Sequence, residues 1–199
     1  MVNRSQQLFA EYLSEAQCVF EQDFSVWNER NVDFYIRSPE LLCDVKEIRP
    51  RKRTDSLIDH DVAIKRDLQK LRRKFGDSRP RLPILLITMN MSGMFFTGFT
   101  VATAMLGKVG TEVGETHRTQ FHHLREGDAA MTLRHLTAIS GVLVFDCAAH
   151  LHCLFSNPFA INPVPKLDWP NLSRVDLDRN WSESDLTGLG KRTFWPCDP

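Results

Sequence analysis

Near the start of the chain, apolar residues recur at helical spacing at Leu8, Phe9, Tyr12, Leu13 and Ala16, with Glu11 and Glu15 one turn apart. That pattern predicts an amphipathic helix over residues 5–17. The stretch CVFEQDFSVW then reads as extended, and residues 28–31 as a polar turn. VDFYI, a turn at Arg37-Ser38-Pro39-Glu40, and LLCDVKEI together read as a β-hairpin, whose second strand ends at Pro50. RPRKRTDS is a charged loop in which Thr54, Asp55 or Ser56 can cap the next helix. That helix is predicted over residues 57–75, because Ile64, Leu68, Leu71 and Phe75 form one apolar stripe. Lys65, Gln69 and Arg72 flank the stripe, and Arg66, Lys70 and Arg73 lie further round toward solvent.

Gly76 stops the helix, and Pro80 and Pro83 bracket a connector. LPILLITMN is a continuous apolar run of strand length, the pattern of a strand covered on both faces. Residues 100–106 read as a short helix closed by Gly107, and residues 108–134 as polar loop or irregular structure. ISGVLVFD and HLHCLF read as two more strands joined by a tight turn. The order of helices and strands predicts an α/β or α+β fold with a central mixed sheet flanked by helices. The expected division is a domain over 1–165 and an extended surface tail over 166–199, rich in Pro, Asn, Asp and Trp.

Composition changes this picture little. The length of 199 residues favours one domain with a sizeable core, and the net charge is zero. Charge distribution says more: between Lys46 and Arg81 there are 13 Lys or Arg against 6 Asp or Glu. Such a basic segment can be a solvated helix face or can dock a phosphate backbone. The apolar stretch over 82–106 is interrupted by Asn90, Ser92, Gly93, Thr97 and Gly98, short of the roughly 20 apolar residues a membrane span needs. Five cysteines without framework spacing, and an N-terminus without a signal-peptide apolar run, are read as reduced thiols in a cytoplasmic protein away from membranes.

The chemistry concentrates in the hairpin. Side chains alternate faces along a strand, so Asp44 and Lys46 point one way while Cys43, Val45 and Glu47 point the other. Pairing of VDFYI with LLCDVKEI lets Asp33 approach Asp44 on that face. Two carboxylates and an ammonium together are costly unless something uses them. A hard divalent cation does, because Mg²⁺ takes one or two carboxylates plus water and substrate phosphate oxygens. The Val45 carbonyl is placed to be a further ligand. Lys46 can then orient or deprotonate an attacking water and steady developing negative charge.

VDFYIRSPELLCDVKEI resembles the signature hairpin of the PD-(D/E)XK nuclease superfamily, an acid followed across a hairpin by acid-x-Lys. Asp33 matches the first acid, Asp44 the second and Lys46 the lysine, while Val32 stands where the signature usually has Pro. The resemblance covers roughly the first half of the chain. It implies a restriction-endonuclease-like core of α-β-β-β-α-β order and Mg²⁺- or Mn²⁺-dependent hydrolysis of nucleic acid, with DNA favoured over RNA. It further implies a Glu from the upstream helix in the metal site, with Glu11 chosen and Glu15 its rival. The helix after the lysine, with Lys65 and Gln69, would border the site, although the Gln-x-x-x-Tyr refinement is absent because residue 73 is Arg. Lys65, Arg66, Gln69 and Lys70, with Arg49, Arg51, Lys52 and Arg53, are the residues expected to dock nucleic acid, and a homodimer is implied for cleavage of a duplex. A nuclease fold that only binds nucleic acid or a protein partner is the alternative.

A rival cluster, Cys147, His150, His152 and Cys153, has ligand types that suit Zn²⁺. Strand alternation separates His150 and His152 from Cys153, so four-fold convergence is not expected. His117, His122 and His123 are read as incidental loop histidines. Trp169, Trp181 and Trp195 are read as anchors of the tail rather than base-stacking platforms.

Overall fold

In the computed structural model of the chain, the described residues are 3–26, 30–48, 60–75, 81–91, 98–106, 109–113, 119–123, 137–146 and 151–177. The elements follow the order α1 (Arg4–Glu15), β1 (Phe20–Val26), β2 (Arg30–Arg37), β3 (Glu40–Ile48), α2 (His60–Phe75), β4 (Ile84–Asn90) and α3 (Gly98–Leu106). They continue with β5 (Val109–Val113), β6 (Thr119–His123), β7 (Gly141–Asp146), β8 (Leu151–Ser156) and β9 (Leu172–Asp176). Seven strands form one mixed sheet in the order β1-β2-β3-β4-β7-β8-β9, and β5 and β6 pair separately. β1, β2 and β3 form an antiparallel meander, β3, β4 and β7 run parallel, β7 and β8 are antiparallel, and β8 and β9 are parallel.

The sheet is the middle of three layers. Phe9, Tyr12 and Leu13 of α1 pack with Cys43, Val45, Leu85, Ile87 and Leu143 on one face. Ile64, Leu68, Leu71 and Phe75 of α2, and Val101, Ala102 and Met105 of α3, pack with Leu42, Ile84, Leu86 and Val142 on the other. β4 is therefore buried at every residue, as its continuous apolar run requires. Its even-numbered positions face α2 and its odd-numbered positions face α1.

The α1 face is closed by an aromatic cluster. Phe9 and Tyr12 meet Phe145, His152 and Trp169, and the Tyr12 hydroxyl donates to the Pro170 carbonyl at 2.7 Å. Trp169 thus anchors the chain after β8 onto the core, while Trp181 and Trp195 lie outside the described residues.

Two parts of the sequence reading need correction. Residues 109–113 and 119–123, expected as loop, pair as an antiparallel hairpin with Val109 opposite His123. Their alternating Val109, Thr111 and Val113 are a weak strand signal beside Gly107, Gly110 and Gly114, which read as loop. The tail expected from residue 166 also contributes to the sheet, because β9 pairs with β8 from His152–Leu172 to Ser156–Asp176. An edge strand with one neighbour shows little burial alternation, so its pattern is mute. No helix among the described residues is long and apolar enough to cross a membrane. Cys18, Cys43 and Cys153 are free thiols.

Candidate functional site

The meander loses its regular pairing at one point, and the site lies there. β1 and β2 pair through Gln22–Phe34 and Phe24–Val32, with Asp23 between at φ 49°, a left-handed conformation that Asp tolerates better than most residues. Phe20 and Phe34 pack on the α1 face, whereas Phe24 and Val32, each an even number of residues away, pack on the α2 face. Both strands therefore turn over at Asp23 and Asp33. The β2–β3 register runs from Arg37–Glu40 to Phe34–Cys43. Beyond it, Asp33 Oδ2 accepts the Val45 N–H at 2.6 Å, so a carboxylate replaces a main-chain acceptor.

Asp33 is held from its other side by α1. Gln6 Nε2 donates to Asp33 Oδ1 at 2.8 Å, while Gln6 Oε1 accepts the Asn3 N–H at 3.2 Å in a capping box at the start of the helix. The backbone donor fixes which end of the Gln6 amide faces Asp33.

Asp44 and Lys46 share the α2 face, as alternation predicts, and Asp44 is only 1% exposed. Lys46 Nζ lies 2.5 Å from Asp44 Oδ2 and 3.8 Å from Asp33 Oδ2, and donates to the Val45 carbonyl at 3.2 Å. From α2, Lys74 Nζ pairs with Asp44 Oδ1. Two carboxylates thus face two ammonium groups, which neutralises them in a place where a lone buried charge is prohibitive. Asp44 Oδ2 is buried with an ammonium beside it but no directed hydrogen bond. Thr88, the register partner of Lys46 on β4 and 1% exposed, also has a hydroxyl without a hydrogen-bond partner.

These surroundings set the proton affinities. Burial, then the Asp44 charge, push the Asp33 carboxyl up, against the opposing pull of the Val45 N–H, Lys46 and Lys74. Burial on its own would lower the Lys46 ammonium, but the adjoining Asp44, and then Asp33 and Asp67, outweigh it and raise the value. In this arrangement Lys46 is therefore held as a cation that neutralises the two carboxylates.

Among the described residues, no three His, Cys, Asp or Glu side chains are grouped so as to hold a metal ion. The oxygen set is Asp33, Asp44 and the Val45 carbonyl. It fits Mg²⁺, which retains several waters and needs only one or two protein carboxylates. Each Asp44 oxygen lies beside an ammonium group, Oδ2 beside Lys46 and Oδ1 beside Lys74, so an ion that takes Asp44 as a ligand exchanges with one of the two.

Of the residues read from sequence, Asp33, Asp44, Val45 and Lys46 come together and Glu11 does not. Glu11 is on the exposed side of α1, where it accepts from Gln7 Nε2 at 3.2 Å. Five residues separate it from Gln6, which rotates it about 140° around the helix axis away from Asp33. Glu15 is likewise exposed. On α2, Arg66, Gln69 and Lys70 are exposed and Lys65 is half-buried. Arg66 and Lys70 both approach the buried Asp67, at 3.6 and 3.0 Å. Arg49, Arg51, Lys52 and Arg53 lie outside the described residues, as do Cys147 and His150 of the rival cluster. His152 stacks on Phe145 at 3.7 Å toward α1, while Cys153 is buried on the α2 face, so these two diverge as alternation requires.

Gln6, Lys74, Asp67 and Thr88 are the site residues that sequence reading missed. Asp67 had a usable signal, since it sits beside the apolar stripe of α2 one turn after Ile64. No family model matches the chain, and neither a curated protein nor a solved structure does.

Proposed function

We propose that this chain is a divalent-metal-dependent phosphodiesterase that cleaves nucleic acid with a nuclease hairpin of PD-(D/E)XK type. The observation that carries the reading is the convergence of Asp33, Asp44 and Lys46, with Lys46 Nζ 2.5 Å from one carboxylate and 3.8 Å from the other. The element order α1-β1-β2-β3-α2-β4, an antiparallel meander followed by a helical crossover to a parallel strand, supports a restriction-endonuclease-like core. In this reading Asp33, Asp44 and the Val45 carbonyl hold Mg²⁺ or Mn²⁺, which supplies an activated water and neutralises phosphate charge. Lys46 stays protonated and orients that water. The exposed Arg66 and Lys70, with Lys65 and Gln69, face the phosphate backbone. DNA is the favoured substrate, with a homodimer for cleavage of both strands.

The purified chain should nick plasmid or degrade oligonucleotides with Mg²⁺, and Lys46→Ala, assayed at a temperature where it is still folded, should reduce the rate at least about 100-fold. Equal rates for the two proteins would refute the reading. A second reading, a nuclease fold that binds nucleic acid or a protein without cleaving, is favoured by two observations. Gln6, not an acid, approaches Asp33 from α1, and both aspartates are already paired with lysines. It predicts salt-sensitive binding without metal-stimulated turnover.

A further inference from the structure

Asp44 is gripped from both sides. Lys46 from its own strand covers Oδ2, and Lys74 from the last turn of α2 covers Oδ1. A divalent ion that takes Asp44 as a ligand must displace an ammonium group from one of these oxygens. The two lysines are not equally placed to leave. Lys46 is two residues along β3, lies among the charges of Asp44, Asp33 and Asp67, and also donates to the Val45 carbonyl. Lys74 is as exposed as Lys46, each side chain at 30%, but it reaches across from another layer, pairs with Asp44 where Lys46 pairs with both Asp44 and Asp33, and lies one residue from the end of α2. It can swing toward solvent by side-chain rotation alone, with no shift of helix or sheet.

We propose, on the basis of the metal-site reading above, that Lys74 is a displaceable counter-ion that holds Asp44 in the metal-free protein and gives way to the incoming divalent cation. Removing a partner from a buried carboxylate is strongly unfavourable if nothing replaces it. The exchange meets that condition because the ion arrives as the ammonium departs, so Asp44 is never left uncompensated. Lys74 then sets a threshold: the carboxylate pair stays closed to cations that bind more weakly than the ammonium, and metal affinity is lower than the two carboxylates alone would give.

The test is Mn²⁺ binding to the full chain, followed by titration calorimetry and by the paramagnetic resonance signal of free Mn²⁺. Lys74→Met and Lys74→Gln remove the charge, and Gln retains a hydrogen-bond donor for Asp44 should Met disturb the fold. Each should bind Mn²⁺ about tenfold more tightly than wild type, the scale of losing one nearby positive charge. Lys74→Arg restores the cation and should return the affinity to the wild-type value. Lys166→Met, which removes an exposed lysine paired with Asp168 and not with Asp44, should leave it unchanged. Unchanged or weaker Mn²⁺ binding in both neutral variants overturns the counter-ion role while leaving the metal site standing. Failure of every protein, wild type included, to bind Mn²⁺ overturns the metal-site reading itself and the counter-ion role with it.

Discussion

Asp33 and Val45 are joined side chain to main chain: Asp33 Oδ2 takes the Val45 N–H at 2.6 Å just beyond the Phe34–Cys43 end of the β2–β3 register. The bond does two things at once. It satisfies a strand amide that would otherwise lose its partner, and it fixes a carboxylate beside Asp44 and the Val45 carbonyl. The interruption of the hairpin and the gathering of the oxygen set are therefore one structural event.

That arrangement predicts how stability responds to pH. Asp33 titrates above its unfolded value because burial and Asp44 disfavour its charge. Its contribution is most favourable below the unfolded carboxylate value and is lost as pH rises through the elevated folded one. Asp33→Asn removes this loss. Without metal, the stability difference between variant and wild type should move in the variant's favour as pH rises through the carboxylate range, on top of a pH-independent cost, because Asn turns its amide donor toward Gln6 Nε2 or the Val45 N–H. Urea melts from about pH 3.5 to about pH 8 measure it. A saturating divalent ion should shift the comparison toward wild type, since binding at roughly 100 times Kd stabilises only the protein that binds, by about 2.7 kcal/mol.

Thr88 makes a separate prediction. Its hydroxyl is buried without a hydrogen-bond partner next to Lys46 in register. Thr88→Val keeps the shape and removes the unsatisfied group, so it should stabilise the metal-free fold by about 1 kcal/mol. If the hydroxyl serves substrate or metal-bound water, the same variant cleaves more slowly despite melting higher. Parallel melting and rate measurements distinguish the two effects.

The exposed basic face of α2 is tested through salt. Arg66 and Arg73 are exposed, and Lys70 remains to pair with Asp67 when Arg66 is removed. Replacing both with Gln should weaken binding of an oligonucleotide duplex about equally for all sequences. The slope of log affinity against log salt should fall by roughly 0.9 for each phosphate that is no longer neutralised. An unchanged slope would show that this face docks no phosphate backbone.

Much of this architecture was legible in the sequence for local reasons. The continuous apolar run of β4 announced burial on both faces, and the Ile64–Phe75 stripe announced the buried side of α2. Asp44 and Lys46 could be assigned a common face because a strand alternates every residue. What stayed hidden depends on docking. Lys74 stands in a last turn with Arg72 and Arg73, where cations suit the helix dipole, so nothing local marks it as reaching across to β3. Glu11, with Glu15 its rival, was singled out because residue type pointed to an acid, while the seating of α1 on the sheet brings Gln6 to Asp33. β9 was hidden because an edge strand with one neighbour does not impose alternation.

Gln6 offers the sharpest test of the site as a whole. It already occupies the third helical position of a capping box, where Glu serves as well as Gln and its charge suits the helix N-terminus. Gln6→Glu should therefore leave the start of α1 intact, and its effects should come from the new carboxylate beside Asp33, whose Oδ1 loses the amide donor at 2.8 Å. In the metal-free protein a third negative charge beside Asp33 and Asp44 should cost about 1 kcal/mol or more and push the Asp33 carboxyl further up. With Mn²⁺ the same carboxylate becomes a third acidic ligand, or at least draws the ion, so affinity should rise and the loss should be recovered. Urea melts with and without Mn²⁺ measure both halves. A variant destabilised equally in the two conditions would mean that the carboxylates at this point of the sheet do not share an ion.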